Sequence, residues 1–195
     1  MEITAEMIKK LRAETNAGVL DCRKALQESN GDFEKAVEWL RAKGMATAAN
    51  RADREALNGM VELYSHGGGR VGVMVEVNCE TDFVARSEQF RTLAHEIALQ
   101  IAANDPKYVK PEDIPTDVLK AEEEKARVRV KDEGKTVEYY MDKFKDEVCL
   151  LRQAYVRDES TTIEKLVMQN VAAIGENIVV RRFQRWELGE SASQE

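Results

Sequence analysis

Valines at alternate positions of residues 71–77 constrain the fold more than any other feature of this sequence. Side chains two residues apart point to the same face of a β-strand, so this spacing predicts a strand with one apolar face. The preceding residues 66–70 include three consecutive glycines, which is typical of a tight turn. An apolar segment at residues 59–65 comes before the turn, with Val61 and Leu63 on one face. The pattern predicts a β-hairpin.

This hairpin is expected to be apolar on both faces. The valines would cover one face, and Met60, Tyr64 and Met74 would lie on the other. When helices pack on one side of an antiparallel sheet, the far side is expected to be polar. The sequence shows no strand beyond the hairpin except residues 178–188. The second apolar face therefore predicts packing against the sheet of a second copy, and hence a homodimer.

Helical patterns precede the hairpin. Short amphipathic segments predict three helices within residues 1–44, and Gly44 stands where a glycine commonly follows the last helical turn. Residues 45–57 are rich in alanine, arginine and aspartate and contain few large apolar side chains. This composition favours a linker that is partly helical; the alternative is that these residues extend the third helix.

After the hairpin, apolar residues at helical spacing predict further helices. A long helix carries an apolar stripe from Phe90 to Ile101, and a later helix is capped by Thr161 and ends at Gly175. Two more helices are predicted between them, at residues 116–132 and 137–151. The predicted fold class is α+β, with a three-helix bundle at 1–44, a linker at 45–57, a core of a three-stranded antiparallel sheet packed with helices at 58–190, and a disordered tail at 191–195.

Composition and charge exclude several classes of protein. The net charge is −7, and basic residues are interleaved with acidic ones, so direct nucleic-acid binding is not expected. The longest apolar run is interrupted by Glu76 and is far shorter than the roughly 20 residues of a membrane helix. The three cysteines, Cys22, Cys79 and Cys149, are an odd and sparse set. Such a set is typical of a reducing cytoplasm and not of a disulfide scaffold.

Motifs that suggest catalysis have simpler interpretations. Gly67, Gly69 and Gly72 match a dinucleotide-binding pattern, but a strand follows them where that pattern requires a helix. A thiol nucleophile at Cys79 with His66 as its base would lack a third group to orient the pair. Neither histidine of the chain has metal-ligand spacing to a cysteine. We therefore expect no catalytic residue, metal site or cofactor, and not an enzyme.

Residues 78–86 join the valine strand to the long helix and contain Phe83 beside an acidic residue. The apolar stripe of that helix begins only at Phe90, two turns later. An aromatic side chain at a helix start next to a tight loop can project into solvent. The alternative is that Phe83 packs on the core of its own domain, as in a hydrophobic staple.

The same segment carries a family resemblance. Residues 76–86 read EVNCETDFVAR and resemble the signature of bacterial elongation factor Ts. Further segments similar to that family are DCRKAL at 21–26, RVGV at 70–73, IGENI at 174–178 and RRF at 181–183. The matches run in the family's order from residue 3 to residue 189. The length resembles the compact form of the family, which has one core module and lacks the coiled-coil insertion.

The resemblance implies a guanine-nucleotide exchange factor that binds elongation factor Tu, in GDP-bound and nucleotide-free forms, during translation elongation in the cytoplasm. In the family, the Thr-Asp-Phe-Val segment inserts between helices of the partner's G domain and disturbs its Mg²⁺ site. The N-terminal bundle of the family is similar to ubiquitin-associated domains and contacts the same G domain. These family contacts carry over to Thr81, Asp82, Phe83 and Val84 in the segment and to Arg12, Val19 and Leu20 in the bundle.

The chain departs from the family in the bundle. The family usually has two methionines where this sequence has Val19 and Leu20, a smaller and stiffer pair. A second hypothesis from another class also remains open. In it, the chain is a ubiquitin-like or chaperone-type binding adaptor that uses only the bundle and has no exchange activity.

Overall fold

The structure, a computed structural model, describes residues 3–15 and 17–190, without the side chains of 131–133. The predicted tail at 191–195 lies outside the described residues. The helices are α1 (Ala5–Thr15), α2 (Val19–Glu28), α3 (Phe33–Ala49), α4 (Asp82–Ala85), α5 (Glu88–Asn104), α6 (Thr116–Glu133), α7 (Val137–Val148) and α8 (Ile163–Ile174). The strands are β1 (Asn58–His66), β2 (Val71–Cys79), β3 (Ala154–Tyr155), β4 (Asp158–Thr162) and β5 (Ile178–Glu187). This mixture confirms the α+β class.

The predicted hairpin supplies two strands of the main sheet. Within the described residues this sheet has three antiparallel strands, as predicted, and their order is β1-β2-β5 with β2 in the middle. The valines of β2 are all buried, whereas Gly72 and Met74 between them are exposed. Gly67, Gly68 and Gly69 in the turn all have positive φ angles, a backbone conformation that glycine adopts without steric cost.

One face of the sheet is directed towards helix α5. Glu62 of β1 lies 3.0 Å from Nδ1 of His95 on that helix. The ring of Tyr64 packs edge-on against the same histidine, with centroids 5.4 Å apart. On β5, the Arg185 side chain is largely buried and donates to the carbonyl oxygen of Ala102 at 3.4 Å. Successive side chains of a strand point to opposite faces of the sheet. The strand residues that alternate with Glu62, Tyr64 and Arg185 therefore point to the face away from α5.

That opposite face carries exposed apolar side chains beside an ion pair of Glu76 and Arg182, whose Oε2 and Nε atoms are 2.8 Å apart, and its composition differs from the prediction. It carries Val61 and Leu63 of β1, Met74 of β2 and Trp186 of β5, all with large exposed fractions. Tyr64, and with it Met60, is half-buried on the α5 side, so placing these two with Met74 was wrong. A shift of one residue in the pairing moves every side chain of a strand to the other face of the sheet. Residues 59–65 have large apolar side chains on both faces, so the sequence pattern did not distinguish the two arrangements.

A second sheet was missed by the sequence analysis, so the statement that no further strand is available was wrong. Strands β3 and β4 pair antiparallel, with Tyr155 opposite Asp158. β3 has two residues, and β4 reads DESTT, without an apolar alternation that could predict it. Helix α8 follows directly. Its first turn is capped by Thr162, whose Oγ1 accepts the Lys165 amide at 3.3 Å, and not by the predicted Thr161.

The N-terminal helices pack around a small core. Its buried members are Leu11, Cys22, Ala25, Leu26, Ala36, Val37 and Leu40.

Helix α3 continues to Ala49, so the predicted helix end at Gly44 was wrong, and part of the predicted linker is helical. A Cβ atom on Gly44 would lie 3.0 Å from Cβ of Ala172 in α8. The glycine therefore allows two helices to approach closely and does not mark a helix end.

Contacts divide the chain into two compact units, and several elements pass from one to the other. One unit comprises Met1–Gly59, Asn78–Leu93 and Val167–Val179. The other comprises Met60–Val77, Ala94–Leu166 and Val180–Glu195. The predicted division into a bundle, a linker and a core stays a prediction. None of the described helices has both the length and the apolar composition required to span a bilayer.

Candidate functional site

The segment after β2 forms a single helical turn. Thr81 has an extended backbone, and its Oγ1 accepts the amide N–H of Val84 at 3.4 Å, which makes it the N-cap of α4. Asp82 occupies the first turn, where a negative charge is favoured, and lies 3.0 Å from the exposed guanidinium of Arg86. The sequence analysis placed Phe83 at the start of the long helix, whereas the structure has a separate turn, α4, before α5 begins at Glu88.

Phe83 is the most exposed large side chain of this turn, at 82% of its full accessible surface. Asp82 is also exposed, whereas Thr81 and Val84 are half-buried. The alternative that Phe83 packs on its own core as a hydrophobic staple was therefore wrong. An exposed aromatic ring on an ordered turn gains nothing for folding and is available to a partner.

A carboxylate from a distant part of the chain holds the start of this turn. Glu176 lies between α8 and β5. It accepts the amide N–H of Thr81 at 3.0 Å and the hydroxyl of Thr81 at 2.7 Å, one on each oxygen. The neighbouring residues form the reverse contact, in which the amide N–H of Asn177 donates to Glu80 at 2.6 Å. Residues 80–81 and 176–177 thus hold each other through two carboxylates.

The side chain of Asn177 extends this network to the chain that follows α3. It is only 4% exposed and donates to the carbonyl oxygens of Ala52 at 3.2 Å and Arg54 at 2.7 Å. The guanidinium of Arg54 lies 3.5 Å from the Glu80 carboxylate. The side-chain amide of Asn58 donates to the Glu80 carbonyl at 2.8 Å. Buried amide groups with satisfied partners of this kind fix a local conformation.

Cys79 has a structural role at this site. Its thiol is buried and donates to the carbonyl oxygen of Thr81 at 3.1 Å. Burial, with a smaller effect of the Glu176 charge, raises the pKa of the Cys79 thiol. A reactive cysteine needs a lowered pKa, so this environment disfavours the thiolate that a nucleophile requires. His66, the base considered for it, has its Nδ1 3.0 Å from the Tyr64 hydroxyl.

No group of three or more His, Cys, Asp or Glu side chains in the described part of the chain is arranged to hold a metal ion. The site offers an exposed aromatic ring on a held backbone, without a nucleophile and base pair. Chemically, this arrangement can bind a surface by inserting an apolar side chain.

The predicted bundle residues are exposed as well. Val19 and Leu20 form the start of α2, and Leu20 is 80% exposed. Gly18 precedes them as the N-cap residue. Arg12 is exposed on the neighbouring helix α1. Val19 and Leu20 are thus two consecutive exposed apolar residues at the start of α2.

Sequence reasoning did not assign a role to Glu176 or Asn177, although both stand in the IGENI segment that carried the resemblance. The hydrogen bonds between Glu176 and Thr81 join residues that are 95 positions apart. One sequence contains no signal for such a pairing. The glycine before Glu176 was a usable local sign that the backbone turns there.

Comparisons with known proteins agree with the resemblance. The sequence model of the family described as Elongation factor TS matches residues 2–190. Elongation factor Ts of Caldanaerobacter subterraneus subsp. tengcongensis is 52% identical over 195 residues, covering 96% of this chain and 98% of the relative. The same factor of Carboxydothermus hydrogenoformans is 50% identical over 199 residues, covering 98% and 92%. That of Moorella thermoacetica is 50% identical over 199 residues, covering 98% of each.

Proposed function

Since the chain belongs to the elongation factor Ts family, we propose that it is a guanine-nucleotide exchange factor for elongation factor Tu in translation elongation. The observation that carries the proposal is the 82% exposure of Phe83 on a turn held by hydrogen bonds. In the proposed complex, Thr81, Asp82, Phe83 and Val84 enter the partner's G domain and disturb its Mg²⁺ and phosphate site. Release of labelled GDP from elongation factor Tu tests the proposal.

The exchange requires no bond to be made or broken by this chain. GDP is held in such a partner through its phosphates and a Mg²⁺ ion. A factor that binds the nucleotide-free partner more tightly than the GDP-bound one must weaken GDP binding by the same ratio. A thousandfold ratio corresponds to about 4 kcal/mol, and one well-packed aromatic anchor can supply about half or more of it. The proposal therefore assigns a binding role and not an enzymatic one.

The bundle supplies a second contact in this proposal. Arg12, Val19 and Leu20 bind the same G domain, and the exposure of all three supports this assignment. Two linked contacts bind more tightly than either alone, because the first raises the effective concentration of the second. The adaptor hypothesis uses the bundle but leaves the exposed Phe83 without a role.

We place the exchange in the cytoplasm. Cys22, Cys79 and Cys149 are free and buried, as expected for a chain in a reducing compartment. The proposal includes no direct contact with nucleic acid or membrane and no cofactor of this chain. Its protein partners are elongation factor Tu and a second copy of the chain.

The second copy is proposed for the exposed face of the main sheet. Val61, Leu63, Met74 and Trp186 are apolar, and each has a large exposed fraction. Several exposed apolar side chains on one face of a sheet are typical of an interface. Packing the same face of two chains around a twofold axis would bury it on both sides.

Met74→Lys is expected to convert this dimer to a monomer, because the change places an unpaired charge within an apolar contact. Light scattering at micromolar concentration should show the wild-type chain at about twice its mass of 22.1 kDa and the variant at that mass. Val128→Lys, at an exposed position of α6, is the control and should stay dimeric. A wild-type chain that is monomeric at high concentration would contradict the proposal.

A further inference from the structure

We propose that Glu176 is a positioning residue that holds Phe83 ready for insertion into the partner. This inference rests on the proposed function, since it concerns how the same segment is prepared for the exchange. The two oxygens of Glu176 accept the amide N–H of Thr81 at 3.0 Å and its hydroxyl at 2.7 Å. Hydrogen bonds to a charged acceptor are stronger than neutral ones, and two of them on one residue fix its orientation.

The orientation of Thr81 determines that of the whole turn. Its Oγ1 accepts from the amide of Val84, and its carbonyl oxygen accepts from the amide of Ala85 at 3.2 Å. α4 has four residues, far fewer than the roughly 12 at which isolated helices become even marginally stable. The turn that carries Phe83 is therefore ordered by its cap, and Glu176 holds the cap.

Glu176 can act in this way because its own backbone is fixed on both sides. Gly175 has a φ of +87°, which favours glycine, and nothing lies within 4 Å of the place of a Cβ atom. Glycine is therefore required at this position by the backbone conformation, and not because a larger side chain would clash with a neighbour. The guanidinium of Arg51 donates to the Gly175 carbonyl. On the other side, the Asn177 amide is held by the carboxylate of Glu80.

Order of this turn in the free chain increases the affinity for the partner. If the turn samples several conformations, only the fraction that presents Phe83 correctly can bind, and the apparent dissociation constant rises by the inverse of that fraction. A segment that is already ordered in the free chain loses little conformational entropy when the complex forms. Loss of the Glu176 contacts should therefore slow the bimolecular exchange step while the fold persists.

Glu176→Ala in the full chain tests this inference with two measurements. The bimolecular rate of stimulated GDP release should fall at least tenfold, equivalent to about 1.4 kcal/mol. In the free chain, amide hydrogen exchange at Thr81, Val84 and Ala85 should become at least tenfold faster, with helices α6 and α7 unchanged. Glu164→Ala, an exposed glutamate on α8, is the matched control and should leave both measurements at the wild-type values.

Glu176→Gln provides a rescue that a loss of stability alone would not give. Its carbonyl oxygen can accept the Thr81 amide, and its NH₂ group can donate to the Thr81 hydroxyl, which has two acceptor sites. This variant should retain the exchange rate within about threefold, since both hydrogen bonds are replaced by neutral ones. Thr81→Val removes the hydroxyl that contacts both Glu176 and the Val84 amide, so in the free chain the amide hydrogen exchange of Val84 and Ala85 should become faster, as in Glu176→Ala.

The two measurements distinguish a failure of the positioning role of Glu176 from a failure of the proposed exchange function. Faster amide exchange in Glu176→Ala together with slower GDP release supports the inference. Either change without the other overturns it, as does a variant that behaves like the wild type in both. A wild-type chain that does not accelerate GDP release would overturn the proposed function instead. The amide exchange of the turn, measured without any partner, distinguishes these two failures.

Discussion

Replacing Phe83 with alanine is expected to reduce stimulated GDP release at least tenfold while changing the free energy of unfolding by no more than about 1 kcal/mol. The ring is 82% exposed in the free chain, so its removal leaves no cavity and little lost burial. In the proposed complex the ring is desolvated, and truncation of such an aromatic anchor typically costs about 2 kcal/mol or more. Displacement of labelled GDP and denaturant unfolding measure the two quantities.

Phe90→Ala is the matched control for this prediction. Phe90 is the same residue type one element later, and it is fully buried on α5. Its truncation should lower the free energy of unfolding by about 3–5 kcal/mol through the cavity it leaves. A Phe83 variant that loses stability on this scale yet stimulates exchange normally would show that Phe83 belongs to the core and not to the binding site.

Leu20→Asp is expected to weaken binding to nucleotide-free elongation factor Tu at least tenfold. Leu20 is 80% exposed at the start of α2, so a charge there is tolerated in the free chain. In a complex that covers this position, the carboxylate would lose its water without gaining a partner. Calorimetric titration of the full-length variant into the nucleotide-free partner gives the dissociation constant.

Val128→Asp is the control for the bundle prediction, since it introduces the same charge at an exposed valine of α6. It should bind like the wild type, and both variants should keep the wild-type free energy of unfolding within about 0.5 kcal/mol. If Leu20→Asp binds elongation factor Tu normally, the bundle has a different partner, as the adaptor hypothesis requires.

The parts of the fold that were predictable from sequence are those set by neighbouring residues. Alternating valines and a glycine turn define the β1–β2 hairpin, and both are local features of the sequence. The face assignment of β1 failed because residues 59–65 are apolar on both faces, so the pattern could not decide between them. β4 was missed because its side chains are polar throughout and because its partner β3 has only two residues, too few to show an alternation.

Gly44 shows how one residue type supports two local interpretations. A glycine near the end of an apolar pattern is typical of a helix end. In the structure it lies within α3, where an added Cβ atom would be 3.0 Å from Cβ of Ala172, closer than an ordinary van der Waals contact. The reason for the glycine is therefore a residue on another helix, which the local sequence does not contain.

The candidate site also has one part that was recognisable from the sequence and one part that was not. The stretch with Phe83 was recognisable from its motif, but the local pattern left open whether the ring is exposed or packs on its own core. The contacts of Glu176 and Asn177 with Thr81 and Glu80 were not predictable, since they join segments almost a hundred positions apart. The family resemblance thus identified the side chain, and only the fold identified what holds it.

The most direct test of the central claim uses elongation factor Tu loaded with fluorescent GDP and an excess of unlabelled GDP. The proposed function predicts that the purified chain, at concentrations well below that of its partner, accelerates release of the label. At saturation the acceleration should be on the order of a thousandfold, equivalent to about 4 kcal/mol. Release at the same rate with and without the chain would contradict the account.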